Sequence, residues 1–177
     1  MNKTLVGVIM GSRSDLGIAR KAAKTLESLG IDFEVTVASA HRTPEDAASY
    51  ARNAGSRGIK VIIAIAGLSA ALPGVIAAHT PLPVIGVPVN AGSLGGIDAL
   101  LSVAQMPPGV PVAAMGIDSA KNAALFAARI IALSNSDLQL KMLDETSKAG
   151  ESVTASRSDL EGLPPAPESA FINLEEK

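Results

Sequence analysis

Apolar and polar positions along this chain fall into short β-branched runs that alternate with longer repeats of helical spacing. Residues 5–10 form the first run, which ends at Gly11 and predicts a buried strand. Ser12-Arg13-Ser14-Asp15 then supplies N-cap residues. Ile18, Ala22, Leu26 and Leu29 follow at roughly helical spacing until Gly30 stops the pattern. Residues 33–38 predict a second strand. Thr43 as N-cap, Pro44 at the first helical position and Glu45 and Asp46 in the first turn predict a helix to about Ala54.

Residues 60–66 predict a third strand ending in Gly67, and a short helix begun by Pro73 runs to about His79. Residues 84–89 predict a fourth strand, 92–96 a flexible stretch and 97–103 a short helix. Pro107-Pro108-Gly109 marks a turn, 110–115 a fifth strand and 120–133 an Ala-rich helix. A short helix is expected over 136–148. From about residue 150 Ser, Thr, Glu and Pro dominate, which predicts a tail that is mobile or ordered only against a neighbouring subunit.

Strands alternating with helices imply an α/β fold with a parallel sheet and helices on both faces. Such sheets bind ligands beyond the carboxyl ends of their strands. The three richest polar or small-residue clusters, at 11–15, 39–42 and 67–74, all fall there.

Composition narrows the function. The 177 residues suit one domain plus a modest tail, and 47% apolar content can build its core. A net charge of -2 and 2% aromatics argue against a nucleic-acid partner, which needs a basic stripe or stacking platforms. The absence of cysteine removes disulfides, thiolate metal sites and a Cys nucleophile, and is consistent with a cytoplasmic setting. No membrane span is expected: the run 5–10 is short, and the richest apolar stretch, 61–78, is broken by Gly67, Pro73 and Gly74.

Each cluster has a chemical reading and a plain one. In Gly11-Ser12-Arg13-Ser14-Asp15, a glycine after the strand permits a tight turn, and free N–H groups plus two hydroxyls suit a phosphate. An ordinary capped turn explains the same residues. In Ser39-Ala40-His41-Arg42, His41 lies at a strand-to-helix junction, where an imidazole can move protons near neutrality, and Arg42 suits a phosphate or carboxylate. The alternative is a surface histidine beside an exposed arginine. In Gly67-Leu68-Ser69-Ala70-Ala71-Leu72-Pro73-Gly74, small residues admit a ligand close to the backbone, and N–H groups at the helix start suit a carboxylate or CO2. Close strand–helix packing explains that composition too. His79 reads as a helix-end or surface residue, and two histidines without cysteine give poor support for a metal site.

Taken together the blocks resemble the carboxyaminoimidazole ribonucleotide mutase family, also called the catalytic subunit of phosphoribosylaminoimidazole carboxylase. The resemblance covers about residues 5–133. It rests on Met10-Gly11-Ser12 with Ser14-Asp15, Ser39-Ala40-His41-Arg42-Thr43-Pro44, Leu72-Pro73-Gly74, Gly86-Val87-Pro88-Val89, Gln105-Met106-Pro107 and Asn122-Ala123-Ala124. It implies a three-layer α/β/α, flavodoxin-like single domain over 1–133; composition adds a C-terminal helix over 134–149 and a flexible tail over 150–177. The resemblance also implies a cytoplasmic homo-octamer with sites at subunit contacts, no cofactor, and a nucleotide substrate plus CO2 as partners.

In that family, residues matching Ser12, Ser14, Asp15, Ser39 and Arg42 surround the ribose and its phosphate. The histidine matching His41 is the general acid and base. The resemblance therefore implies a mutase that moves CO2 from N5 to C4 of an imidazole in purine synthesis.

The loop after the third strand departs from the family pattern. The usual mutase sequence is Ala-Gly-Gly-Ala-Ala-His-Leu-Pro-Gly, and here Ala71 stands in the histidine's place. A related branch that takes up free CO2 has Ala-Gly-Arg-Ser-Asn-Ala-Leu-Ser-Gly. Ser69 and Ala71 agree with that branch, whereas Leu68, Ala70 and Pro73 do not. A carboxylase using free CO2, a divergent paralogue such as a nucleotide decarboxylase, and a non-enzymatic nucleotide-binding module therefore stand beside the mutase.

Overall fold

The computed structural model describes residues 4–171. The chain divides into two compact units, with the boundary between Gln139 and Leu140. The first unit carries a parallel sheet of β1 (Val6–Met10), β2 (Phe33–Val37), β3 (Val61–Gly67), β4 (Val84–Val89) and β5 (Ala113–Ala114). The strand order is β2-β1-β3-β4-β5 and every pairing is parallel. This is the flavodoxin-like order, whose switch point lies between β1 and β3.

The interleaved helices are α1 (Leu16–Leu29), α2 (Pro44–Arg57), α3 (Leu72–Ala78), α4 (Ile97–Ala104) and α5 (Ala120–Ala132). α1 packs on α5, and α2 on α3. On one face, Ile62, Ala64 and Ala66 of β3 share a buried cluster with Ala47 and Ala51 of α2, Leu72 and Ile76 of α3, and Ala99 and Val103 of α4. β1 and β4 are buried along their whole length, as strands covered on both faces must be. Each fully buried Ile or Leu in these layers contributes about 1.5–3 kcal/mol of transfer free energy. Alanine fills most of the buried helix positions.

The expected elements form, with differences that have local causes. α1 buries Ala19, Ala22, Leu26 and Leu29, whereas Ile18 is only half-buried. α2 does not stop near Ala54 but runs to Arg57, because Gly55 continues the helix and Gly58, at φ 106°, ends it. The third helix starts at Leu72, one residue before Pro73. Residues 92–96 form consecutive turns. The fifth strand is much shorter than 110–115: only Ala113 and Ala114 pair, with Ile85 and Gly86. It is an edge strand, and Pro111 has no N–H to donate.

On the outer edge, Glu34 of β2 pairs with Arg57 of α2. The Arg57 guanidinium lies 4.9 Å from the centroid of the Tyr50 ring, whose phenol is pushed up by burial and by Glu34.

α6 (Ser136–Ala155) replaces the short helix expected over 136–148 and carries helical structure past residue 150. Its start is capped by the Asn135 side chain, which accepts the Leu138 N–H at 3.0 Å. Within the second unit, Asp144 and Lys148 pair one turn apart at 2.6 Å, and Arg157 lies 3.8 Å from the centroid of the Phe171 ring. Part of the expected tail, 172–177, lies outside the described residues. Among the described residues no helix is long and apolar enough to cross a membrane.

Candidate active site

Parallel pairing aligns the carboxyl ends of the first three strands: Met10 stands beside Val37 on one side and Ile65 on the other. The chain leaving each strand enters one shared cavity of about 470 Å³. That volume suits a small organic ligand. β1 contributes Gly11, Ser12, Ser14 and Asp15, and β2 contributes Ser39, Ala40, His41 and Arg42. The β3 side supplies Ala66, Gly67, Leu68, Ser69, Ala70, Ala71 and Leu72. The structure thus brings residues of all three clusters singled out in the sequence into one cavity, leaving out Arg13, Pro73 and Gly74. It adds Ala91, after β4, which sequence reasoning missed. An alanine has no chemical signature; its one signal is its place just beyond a strand's carboxyl end.

The β1 turn is a 3₁₀ turn, Arg13–Asp15, capped by Ser12. Ser12 N–H donates to Asp15 Oδ2 at 3.1 Å, Ser14 N–H to Ser12 Oγ at 3.4 Å, and Ser14 Oγ to Asp15 Oδ1 at 3.1 Å. These bonds correct the expectation of free N–H groups: two of the turn's amides are already used. An anion here would meet the serine hydroxyls and Arg42 instead. Asp15 is buried, and that burial raises its carboxyl above the ordinary value, against the lowering effect of its hydrogen bonds from Ser14 and Ser12. Gly11 does not make the turn by a positive φ, and a Cβ there would meet nothing closer than 3.8 Å. Its lack of a side chain leaves cavity space open.

The β2 turn is held from within. Thr43 sits at the N-cap of α2 with Pro44 behind it, but its hydroxyl does not cap the helix. It accepts the Ser39 N–H at 2.9 Å instead. Ser39 Oγ accepts the Arg42 N–H at 3.2 Å. Arg42 also reaches across to β1, its Nη2 donating to Gly11 O at 3.5 Å. His41 is exposed at the cavity edge, and among the described residues its ring makes no hydrogen bond. His79 takes the other role expected of it: it ends α3, its Nδ1 2.9 Å from Val75 O.

The β3 loop has a different character. Ala70 N–H bonds back to Leu68 O at 2.8 Å, making a tight turn about Ser69. Ala70 and Leu72 are buried, and Ala71 opens α3 without a side-chain cap. The helix start therefore offers less than expected for a carboxylate: the Ala70 amide is used and Pro73 has none. Leu68 has φ 55°, a left-handed backbone that costs a non-glycine residue on the order of 1–3 kcal/mol. Across the cavity mouth, Asn90 N–H donates to Asp118 Oδ1 at 3.0 Å, which pins the chain leading into Ala91.

A family profile described as AIR carboxylase matches residues 5–152. The chain is 55% identical over 140 residues to an N5-carboxyaminoimidazole ribonucleotide mutase of Pyrococcus horikoshii, covering 79% of each chain. It is 50% identical over 161 residues to the phosphoribosylaminoimidazole carboxylase of Saccharomyces cerevisiae, covering 91% of this chain and 28% of that longer protein. Among solved structures, Treponema denticola PurE superposes with a TM-score of 0.81 at 32% identity, over 89% of this chain and 98% of that one.

Proposed function

The chain belongs to the AIR carboxylase family, and from that premise we propose that it is an N5-carboxyaminoimidazole ribonucleotide mutase of purine biosynthesis. The observation that carries this reading is the meeting of three strand tips in one cavity: hydroxyls and a guanidinium on two of them, an exposed imidazole beside these, and on the third mainly apolar residues with Ser69 as its one polar side chain. The polar tips suit a ribose phosphate, with Ser12, Ser39 and Arg42 as donors, Ser14 as a further donor once its hydroxyl turns from Asp15, and Asp15 as acceptor for ribose hydroxyls. The third tip suits CO2, which has no charge and needs little hydrogen bonding.

The reaction balances within the substrate. The carbamate carbon leaves N5 as CO2, and N5 gains a proton. C4 then bonds to the same CO2 and gives up its own proton. In this reading His41 supplies the first proton and receives the second. The protein holds CO2 beside C4, so that a poor bimolecular step becomes effectively unimolecular. The assembly we propose is a cytoplasmic homo-octamer with no cofactor.

A second reading, carboxylation of aminoimidazole ribonucleotide by free CO2, is favoured by Ala71, which leaves the third tip without a histidine. Isotope tracing separates the two. With unlabelled N5-carboxyaminoimidazole ribonucleotide in 13C-bicarbonate, a mutase is expected to give mostly unlabelled C4-carboxylate. Turnover of aminoimidazole ribonucleotide plus bicarbonate alone would select the carboxylase. Release of CO2 without C4 product would select a decarboxylase, and binding without turnover a regulatory module.

A further inference from the structure

Ser69, Ala70 and Ala71 are all small, so Leu68 is the bulky group at the exposed end of the β3 loop, with 54% of its surface open. It keeps a side chain at φ 55°, where glycine would sit without strain. That side chain is not idle. A Cβ built on Gly92 would fall 2.6 Å from Leu68 Cδ2, so the leucine fills the space that Gly92 leaves. Gly92 is itself left-handed, at φ 71°. Two left-handed residues from the tips of β3 and β4 thus meet at the cavity mouth, one giving an isobutyl group and the other the gap that receives it.

We propose that Leu68 is a retaining residue: closed over Gly92, it keeps transient CO2 from exchanging with bulk water. This rests on the reading of the chain as a CO2-transferring mutase. Between cleavage at N5 and bonding at C4 the carbon is free CO2, and its only losses are transfer and escape. An apolar lip slows escape, because water entering beside an isobutyl group finds no hydrogen-bonding partner there. It acts on the lifetime of CO2 in the cavity and on no proton transfer.

The test measures the fraction of product carboxylate that carries label when the full chain converts unlabelled N5-carboxyaminoimidazole ribonucleotide in 13C-bicarbonate. Leu68→Gly is expected to raise that fraction about five- to tenfold, with a melting temperature no lower than the parent's because the left-handed strain is relieved. Leu68→Asn accepts a left-handed backbone but is polar, so it should leak like the glycine variant. Leu68→Met restores apolar bulk and should return the fraction towards the parent value. Parent-like labelling in both the Gly and Asn variants overturns the retaining role alone. A leaky Gly variant beside a tight Asn variant also overturns it, since backbone conformation would then be the cause. Full labelling by the unsubstituted chain removes the mutase reading, and this proposal with it.

Discussion

The two sides of the cavity are built by different means. On the β1–β2 side, polar side chains hold one another: Asp15 takes the Ser12 N–H, Ser39 takes the Arg42 N–H, and Thr43 takes the Ser39 N–H. On the β3 side, no side chain of 67–72 makes a hydrogen bond among the described residues; Ala70 and Leu72 are held by burial, and Leu68 by the gap at Gly92. The first arrangement fixes polar groups in place before any ligand arrives, which lowers the ordering cost of binding a charged one. The second offers few polar atoms and suits a small uncharged molecule. Under the proposed function, nucleotide grip would fall to the polar side of the cavity and CO2 handling to the β3 side, with the exposed His41 on the polar one.

If that division holds, variants on the polar wall fall into separate classes. The largest effect is expected from His41→Asn, which should lower kcat by about 10²–10⁴-fold while leaving the dissociation constant within about tenfold. Steady-state rates beside equilibrium titration check it, and unimpaired turnover would remove His41 from the chemistry. A smaller loss is expected for Ser12→Ala, which removes the acceptor of the Ser14 N–H. It should cost about 0.5–2 kcal/mol in urea unfolding and raise KM more than it lowers kcat. The opposite split would place the β1 turn in the chemical step rather than in binding.

The smallest effect is expected from Asp15→Asn, and its sign depends on pH. Burial raises the Asp15 carboxyl. A group raised in the fold stabilises it below the unfolded pKa and loses that contribution as pH rises through the folded value. Near neutrality the buried carboxylate is therefore a cost, and asparagine can still accept from Ser12 N–H. The variant should melt no lower than the parent at neutral pH, and its advantage should shrink as pH falls through the raised folded value and be gone below the ordinary aspartate value of 3.8. An advantage that grew towards acid would reverse the assignment. Nucleotide affinity should fall in the same variant, which would identify Asp15 as a residue kept for function at some expense of stability.

The sequence alone was enough for the central strands. β1, β3 and β4 are short apolar runs ended by turn residues, and a strand buried on both faces has to look that way. The polar clusters were legible for a related reason: in a parallel sheet the residues just past each strand are those that meet. Legibility failed where the outcome depended on neighbours. Residues 110–115 have a strand's composition, but an edge with one partner pairs only Ala113 and Ala114. The second helix, expected to about Ala54, runs on through Gly55 to Arg57, where Ala51 and Ala54 are buried and Gly58 ends it. α6 runs on to Ala155 where the composition had already turned polar.

What the chain decided by itself, then, was which segments become strands and helices and which residue types gather at the strand tips, because periodicity and turn chemistry are local properties. Only the tertiary structure decided that the Ser12 and Ser14 amides are spent inside their own turn, that Ala91 joins the cavity, and that Leu68 closes against Gly92. Each of these depends on distances between atoms that parallel pairing brings together, and no pattern within one segment encodes such a distance.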